Sequence, residues 1–384
     1  MSESLPKAAD VVVVGGGVVG AAVARQTAKD GLKTVLLEAK AFGGAVSGAS
    51  LACLGTHMHN IEELPILLEA CALWQSLSEE LGDSFEYNRS GQLRFILKPE
   101  DVAIAERWIA GERAAGLAPE LLSPKEAQEV EPLLTGPIHA ATWAPDSATV
   151  NPFLAVRALL ADGKRAGVMA FAETPVERLL LDGDRITGVR TSRGDISAGH
   201  IVLAAGPWSA RVARSIGLTV PIVARQAQCL ASVRLPPSIR RVIGACESAG
   251  GVESGYTQIQ QAASGQILFN TVMAPQQTPA GAEDRINEVP RRFVRDSIAM
   301  LTTLFPSLAN ILMLRSWVRF EGVTPDDRFM AGRLQDGLLI AAGDNGTGFT
   351  RALFLAQLIS RAARAATDAR DGFYNPLRFA GGKP

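Results

Sequence analysis

The 384-residue chain has only four cysteines, Cys53, Cys71, Cys229 and Cys246, scattered and without a C-x-x-C pair. That spacing excludes a zinc ribbon or an iron–sulfur cluster held by this chain alone, and reduced thiols are the expectation. Charge of one sign is also missing. Lys plus Arg number 38 against 39 Asp plus Glu, so the basic excess of a nucleic-acid binder is absent. No apolar run approaches the roughly 20 residues of a membrane span. The opening MSESLPKAAD is too polar to read as a signal peptide. A cytoplasmic protein with no transmembrane segment is therefore expected. What remains is ordinary globular composition, 47% hydrophobic and 20% charged, in a chain too long for one compact core. Two domains are the expectation.

What is present in quantity is glycine, and it clusters. Val11–Val14 read as a buried parallel strand that runs straight into Gly15, Gly17 and Gly20, spaced G-x-G-x-x-G. The first glycine permits a tight turn. The second lets backbone approach a pyrophosphate, and the third lets helix pack on strand. A helix over Val18–Lys29 then presents its N–H groups and positive dipole end to the anion, with Val18 and Val19 beside it. Asp30-Gly31 stops that helix. A second strand over residues 33–38 ends in Glu38, at the spacing expected of an acid that bonds ribose hydroxyls and repels a 2′-phosphate. Ala39 and Lys40 follow it into the binding set. Next comes a Gly/Ser/Ala-rich loop in which Ser47, Gly48 and Ser50 are placed to reach phosphates, Ser50 near the start of the next helix.

Three later segments make the pattern specific. Ile201–Ser209 carries A-A-G-P-W, with Ala205, Gly206 and Trp208 at a strand-to-turn junction. Arg315–Asp326 carries Trp317, Arg319, Glu321 and Thr324-Pro325-Asp326. Gly343–Thr350 is a second glycine-rich turn opening a helix over 351–366. Together the four segments resemble the D-amino-acid oxidase family of FAD-dependent amine oxidoreductases. That family includes glycine oxidase, sarcosine oxidases and the flavin subunits of proline, hydroxyproline and opine dehydrogenases. The resemblance covers essentially the whole chain.

It implies an α/β fold, α+β overall. A Rossmann-like FAD-binding domain of the glutathione-reductase type is joined to an antiparallel β-sheet substrate domain. Because the flavin motifs lie at both ends, the FAD domain is discontinuous, at 1–80, 145–220 and 323–384. The substrate domain takes 81–144 and 221–322. Hairpins are expected over 174–190 and 192–203, with Val176 lending backbone to the adenine. In the inserts, residues 87–97 read as hairpin and strand, and 99–115 as helix. Ser123 reads as an N-cap with Pro124 behind it. Residues 223–233, 256–260 and 266–270 read as strands, 288–305 as helix, and 274–284 as an exposed loop. In the family Gly346, Thr347, Gly348, Phe349 and Thr350 close over the flavin ring.

The same resemblance assigns the chemistry to non-covalent FAD: a C–N bond is oxidised to an imine, and the protein positions the substrate. The family's carboxylate-clamping arginine falls on Glu321 here, with Arg319 two residues earlier on the same strand face. Glu321 either pairs with a guanidinium or amine on a larger substrate such as an opine, or pairs structurally with Arg319. His57 and His59 are candidates for a flavin or substrate contact, for a metal pair, or for structure. Tyr256, alternating with Gln258 and Gln260, is a candidate substrate contact, and Trp74, Trp108 and Trp143 read as core or interface. The departures favour the β subunit of a heteromeric dehydrogenase or oxidase. Its partners would be an FAD/NAD-binding α subunit and a small iron–sulfur subunit, with FMN at an interface near 146–152 and membrane contact only through electron-transfer partners. The alternatives are a stand-alone D-amino-acid or glycine oxidase, a non-catalytic FAD-binding subunit, and an NAD-dependent dehydrogenase.

Overall fold

Val11, Val12, Val13 and Val14 alternate between two separate cores. Val11 and Val13 face a layer of helices, while Val12 and Val14 face a layer of strands. A strand covered on both faces needs an apolar side chain at every position, which is why four valines run together. The computed structural model describes residues 4–246, 257–272 and 278–379. The valine strand, Ala8–Val14, lies at the centre of an eight-stranded sheet. Parallel neighbours Gly194–Leu203 and Leu338–Ala342 lie to one side, and Thr34–Leu37 and Met169–Phe171 to the other. Met330–Gln335 extends the first edge antiparallel. Val176–Asp182 and Arg185–Thr191 form the expected hairpin, which continues into Gly194–Leu203. Helices Val18–Lys29, Pro152–Arg165 and Gly348–Ala363 cover one face.

A second eight-stranded sheet stands opposite. Its order is Met313–Val323, Val223–Arg234, Gln266–Val272, Gln258–Gln261, Val242–Ala245, Gln92–Ile96, Ala140–Ala144 and Glu120–Leu122. All its pairings are antiparallel except that of Gln92–Ile96 with Val242–Ala245. One face buries Leu93, Phe95, Leu230, Ile243, Ile259 and Phe269 beneath helix Arg291–Leu304. Polar residues that alternate with these, among them Gln92, Arg94, Gln258 and Asn270, line the cavity on the other side. This amphipathic sheet forms the floor of the site.

Several local expectations need correction. Ser50 does not start a helix: residues 42–49 are successive turns, Ser50 Oγ accepts from Ala52 N–H, and the next α-helix is Leu64–Leu81. The 87–97 segment does not fold back on itself. Gln92–Ile96 takes its partners from Ala140–Ala144 and Val242–Ala245, a long-range choice no local pattern announces. The last long helix begins three residues early, at Gly348, and ends at Ala363. In the 274–284 loop, residues 274–277 lie outside the described ones. Its end is anchored, because Asp284 accepts from Trp208 Nε1–H and Arg211, and Ala282 is buried. Ser123 caps its helix in a capping box with Glu126.

Candidate active site

A cavity of about 1490 Å³ opens between the two sheets. Its first wall is the turn after the valine strand. Gly15 adopts φ +110, and a Cβ there would stand 2.5 Å from Ala204 O. A Cβ on Gly20 would stand 1.9 Å from Gly15 O, so helix and turn touch backbone to backbone. Gly16, Gly17, Val18 and Val19 line the cavity at the helix N-terminus. Ser47 reaches into the same spot, and its Oγ accepts from Val18 N–H at 2.9 Å. Glu38 closes the turn from the next strand, accepting from Gly16 N–H at 2.7 Å and Lys40 N–H at 2.8 Å.

Of the residues singled out for cofactor contact, Gly15, Gly17, Val18, Val19, Glu38, Ala39, Lys40, Ser47, Ser50, Val176, Ala205, Gly206 and Trp208 all line this cavity, as do Gly346–Thr350. Two do not. Gly20 serves the helix-to-turn contact, and Gly48 is spent inside the loop, where its N–H donates to Gly43 O.

The second glycine-rich turn enters from the far side. Gly343 and Gly346 both have φ +80, and a Cβ on Gly346 would stand 2.8 Å from Glu321 Oε2. Trp74 Nε1–H donates to Phe349 O at 2.8 Å and ties this helix start to helix Leu64–Leu81. Thr350 Oγ1 accepts from Gly55 N–H. The next residue, Arg351, is clamped by the buried Glu63 carboxylate, which also accepts from the Tyr374 hydroxyl.

On the floor, Arg319 and Glu321 share a face as expected, and they pair: Arg319 Nη2 lies 2.7 Å from Glu321 Oε1. The sequence reading missed the third member. Arg225, opposite Glu321 on the neighbouring strand, donates from Nη2 to Glu321 Oε2 at 2.8 Å. Burial pushes the Glu321 carboxyl up, but the Arg319 and Arg225 guanidinia together outweigh it and hold it below the usual range. Both Glu321 oxygens are therefore occupied from within the protein, which corrects the idea of a carboxylate kept for a substrate guanidinium. Arg319 also donates from Nη1 to Asn270 Oδ1 at 2.9 Å.

Asp344, in the glycine-rich turn, accepts from Gly322 N–H at 2.9 Å. Burial, with the nearby Glu321 charge, raises its carboxyl to about 6. Between its unfolded value of 3.8 and about 6 the native state holds the extra proton, so wild-type stability falls as pH rises through that window. Asp344→Asn, which keeps an acceptor for Gly322, is thus expected to gain on wild type from pH 4 to pH 8 in thermal melts.

The two histidines separate. His59 lines the cavity, and burial followed by the Arg351 charge lowers it to about 3, so it is neutral. His57 is fully buried and does not line the cavity, which corrects its place among the catalytic candidates. Its Nδ1–H donates to Glu112 Oε2 at 2.8 Å and its Nε2 accepts from Thr142 Oγ1 at 2.6 Å. Burial lowers its pKa against the pull of Glu112. His57→Phe strands Glu112 Oε2 and Thr142 Oγ1, while Glu112 Oε1 keeps the Met58 N–H. It is expected to cost about 2–3 kcal/mol, read by denaturant melts, while the flavin content of the folded protein is unchanged.

Tyr256 lies outside the described residues. Trp74 is buried and Trp143 half-buried, whereas Trp108 reaches the cavity wall. Gln92 and Arg94, which also line the cavity, were not anticipated. Their signal was present in the sequence: they alternate with Leu93 and Phe95 along one strand. Among the described residues no cluster of three His, Cys, Asp or Glu is placed to hold a metal.

These features test the fit of FAD. Two helix N-termini open on one elongated cavity, glycines stand where any Cβ would strike backbone, and a carboxylate ends the second strand. The residues present fit FAD, which Gly15–Val18 and Gly346–Thr350 would hold between them.

Comparison with known proteins agrees. The sequence model of the DAO family, described as FAD dependent oxidoreductase, matches residues 10–362. Glycine oxidase of Bacillus subtilis (strain 168) is 25% identical over 365 residues, covering 91% of this chain and 92% of that protein. Sarcosine oxidase subunit beta of an Arthrobacter species is 27% identical over 333 residues, covering 83% and 78%. Among solved structures, L-proline dehydrogenase from P. horikoshii superposes with a TM-score of 0.88 at 26% identity, covering 99% of this chain and 100% of that one. The chain belongs to the DAO family of FAD-dependent oxidoreductases.

Proposed function

We propose that this chain oxidises the C–N bond of a secondary or N-alkylated amino acid, such as proline, hydroxyproline, sarcosine or an opine, to an imine. We further propose that it works as the β subunit of a heteromeric dehydrogenase or oxidase. FAD, held by residues of 1–80, 145–220 and 323–384, supplies the ring that accepts the hydride equivalent. The polar sheet floor, from 81–144 and 221–322, holds the substrate against it. The carrying observation is that this floor and the Gly346–Thr350 turn face each other across one cavity. Arg225 and Arg319 share the Glu321 carboxylate on that floor, which fixes both guanidinia in the cavity wall.

The likenesses to sarcosine oxidase subunit beta and L-proline dehydrogenase support the reading. With Glu321 spent on two arginines, it has no oxygen left for the guanidinium of an opine such as octopine, and this favours small secondary amino acids. An FAD/NAD-binding α subunit and an iron–sulfur subunit are the proposed electron-transfer partners; the second flavin, FMN, gains no support from the comparisons. No helix among the described residues is long and apolar enough to cross a membrane.

The stand-alone oxidase reading is kept by the likeness to glycine oxidase over 91% of the chain. Anaerobic mixing separates these outcomes. The chain is expressed alone and with the products of adjacent genes. D- and L-proline, cis- and trans-hydroxyproline, sarcosine, glycine, octopine and nopaline are then added in turn. Loss of the oxidised flavin band with a secondary amino acid is the expected result. Fast oxygen-driven turnover by the isolated chain would establish the oxidase instead. A yellow protein that no amine bleaches, alone or in complex, would refute the proposal in favour of a non-catalytic flavin subunit.

A further inference from the structure

One register row crosses six strands of the floor and brings Arg94, Gln258 and Asn270 to the cavity wall. Arg94 stands beside Gly244, Gly244 beside Gln258, Gln258 beside Asn270, Asn270 beside Cys229, and Cys229 beside Trp317. Arg94, on a strand away from the Arg225–Glu321–Arg319 trio, stands between Gly244 and Thr142. It lines the cavity and donates from Nη1 to Ala245 O at 3.2 Å. Two residues earlier on the same face, Gln92 also lines the cavity and is 2% exposed, yet its Nε2 has no hydrogen-bond partner. A buried amide N–H₂ without an acceptor is unfavourable unless a bound group supplies one. The Gln92 amide lies beside Gly55, the residue whose N–H is bonded to Thr350 in the first turn of helix Gly348–Ala363. Gln92 and Arg94 are thus donors on one strand of the cavity wall.

We infer that Arg94 and Gln92 form the subsite that reads the substrate carboxylate, with the guanidinium and the amide N–H₂ donating to its two oxygens. A carboxylate is the matching class because it offers only acceptors and one negative charge, against a permanent cation and a donor that needs an acceptor. The inference rests on the amine-oxidation reading. It places the anion-recognising cation on the strand Gln92–Ile96 and makes these two residues set the preference for amino acids over simple amines.

The test uses the FAD-loaded protein and two matched pairs: proline against pyrrolidine, and sarcosine against dimethylamine. Anaerobic flavin reduction gives the acid-to-amine rate ratio, and acetate titration followed by the flavin absorption band gives a direct binding constant. Arg94→Met is expected to lower the ratio and weaken acetate binding about 100-fold, and Gln92→Leu about 10-fold. Arg94→Lys recovers part of the loss. Ratios and acetate affinities within threefold of wild type in the yellow variants would overturn the assignment and leave a buried water as the partner of Gln92. If Arg94→Met does not fold, Arg94→Lys and Gln92→Leu decide the matter. If no amine reduces the wild type but acetate binding is still lost in the variants, the amine reading fails and the anion subsite stands.

Discussion

Gly20→Val produces a chain that no longer holds flavin. The added Cβ would stand 1.9 Å from Gly15 O, and that atom is backbone that cannot rotate away. Gly15 cannot retreat, because a Cβ position on it already lies 2.5 Å from Ala204 O, just past the end of the adjoining parallel strand. Helix Val18–Lys29 must lift off the strand or the turn must open, and either movement displaces the helix N-terminus that lines the cavity. The destabilisation is on the order of 4 kcal/mol, at the upper end for overpacking, because the obstruction is backbone. The flavin-to-protein absorbance ratio after purification, together with the melting temperature, checks it. Gly372→Ala is the control. Nothing lies within 4 Å of a Cβ there, so this variant stays yellow and melts with wild type. A yellow Gly20→Val protein would mean that the contact between helix and turn is looser than the geometry requires.

Glu321→Ala is the second large effect. It removes the one carboxylate between Arg319 and Arg225, both less than a tenth exposed, and leaves two cations facing each other in a buried space. Breaking a buried ion pair from one side costs about 3–5 kcal/mol. The midpoint of thermal unfolding should fall by several degrees, on the order of 5 °C or more. Glu321→Gln keeps hydrogen-bond acceptance without the charge and is expected to fall between. Replacing the whole trio, Glu321→Ala with Arg225→Met and Arg319→Met, removes the uncompensated cations and is expected to recover part of the loss.

The pH dependence follows from the direction of the Glu321 shift. Its carboxyl is held below the ordinary value of 4.5 in the folded protein. Its contribution is therefore complete above pH 4.5 and disappears as pH falls through the folded value. The gap between wild type and Glu321→Ala is widest at neutral pH and narrows below pH 4. Melts at pH 7 and pH 3.5 measure it, and a gap that widens on acidification would contradict the assigned ion pairs.

The dinucleotide half of the cavity was legible because its determinants are local. A four-valine strand, three glycines at fixed spacing, a helix over Val18–Lys29 and an acid after the next strand follow one another along the chain. Backbone sterics at Gly15 and Gly20 leave little choice about how they fold. The second glycine-rich turn was readable for the same reason, although its helix begins at Gly348 rather than at Arg351. Alternation alone placed Arg319 and Glu321 on one strand face.

Tertiary structure decided the substrate half, where function depends on strands that meet from distant parts of the chain. Arg225 reaches Glu321 only because Val223–Arg234 lies beside Met313–Val323. Gln92 and Arg94 join the floor only because Gln92–Ile96 pairs in parallel with Val242–Ala245 instead of folding into a hairpin. The histidines show the same division: two residues of one type, two positions apart, were equivalent in the sequence. Folding gave one to Glu112 and Thr142 and turned the other to the cavity. By itself the sequence determined the cofactor turn, because steric rules act between near neighbours. It could not determine which charges neutralise one another, because Coulomb and hydrogen-bond partners are set by the register of strands far apart in the chain.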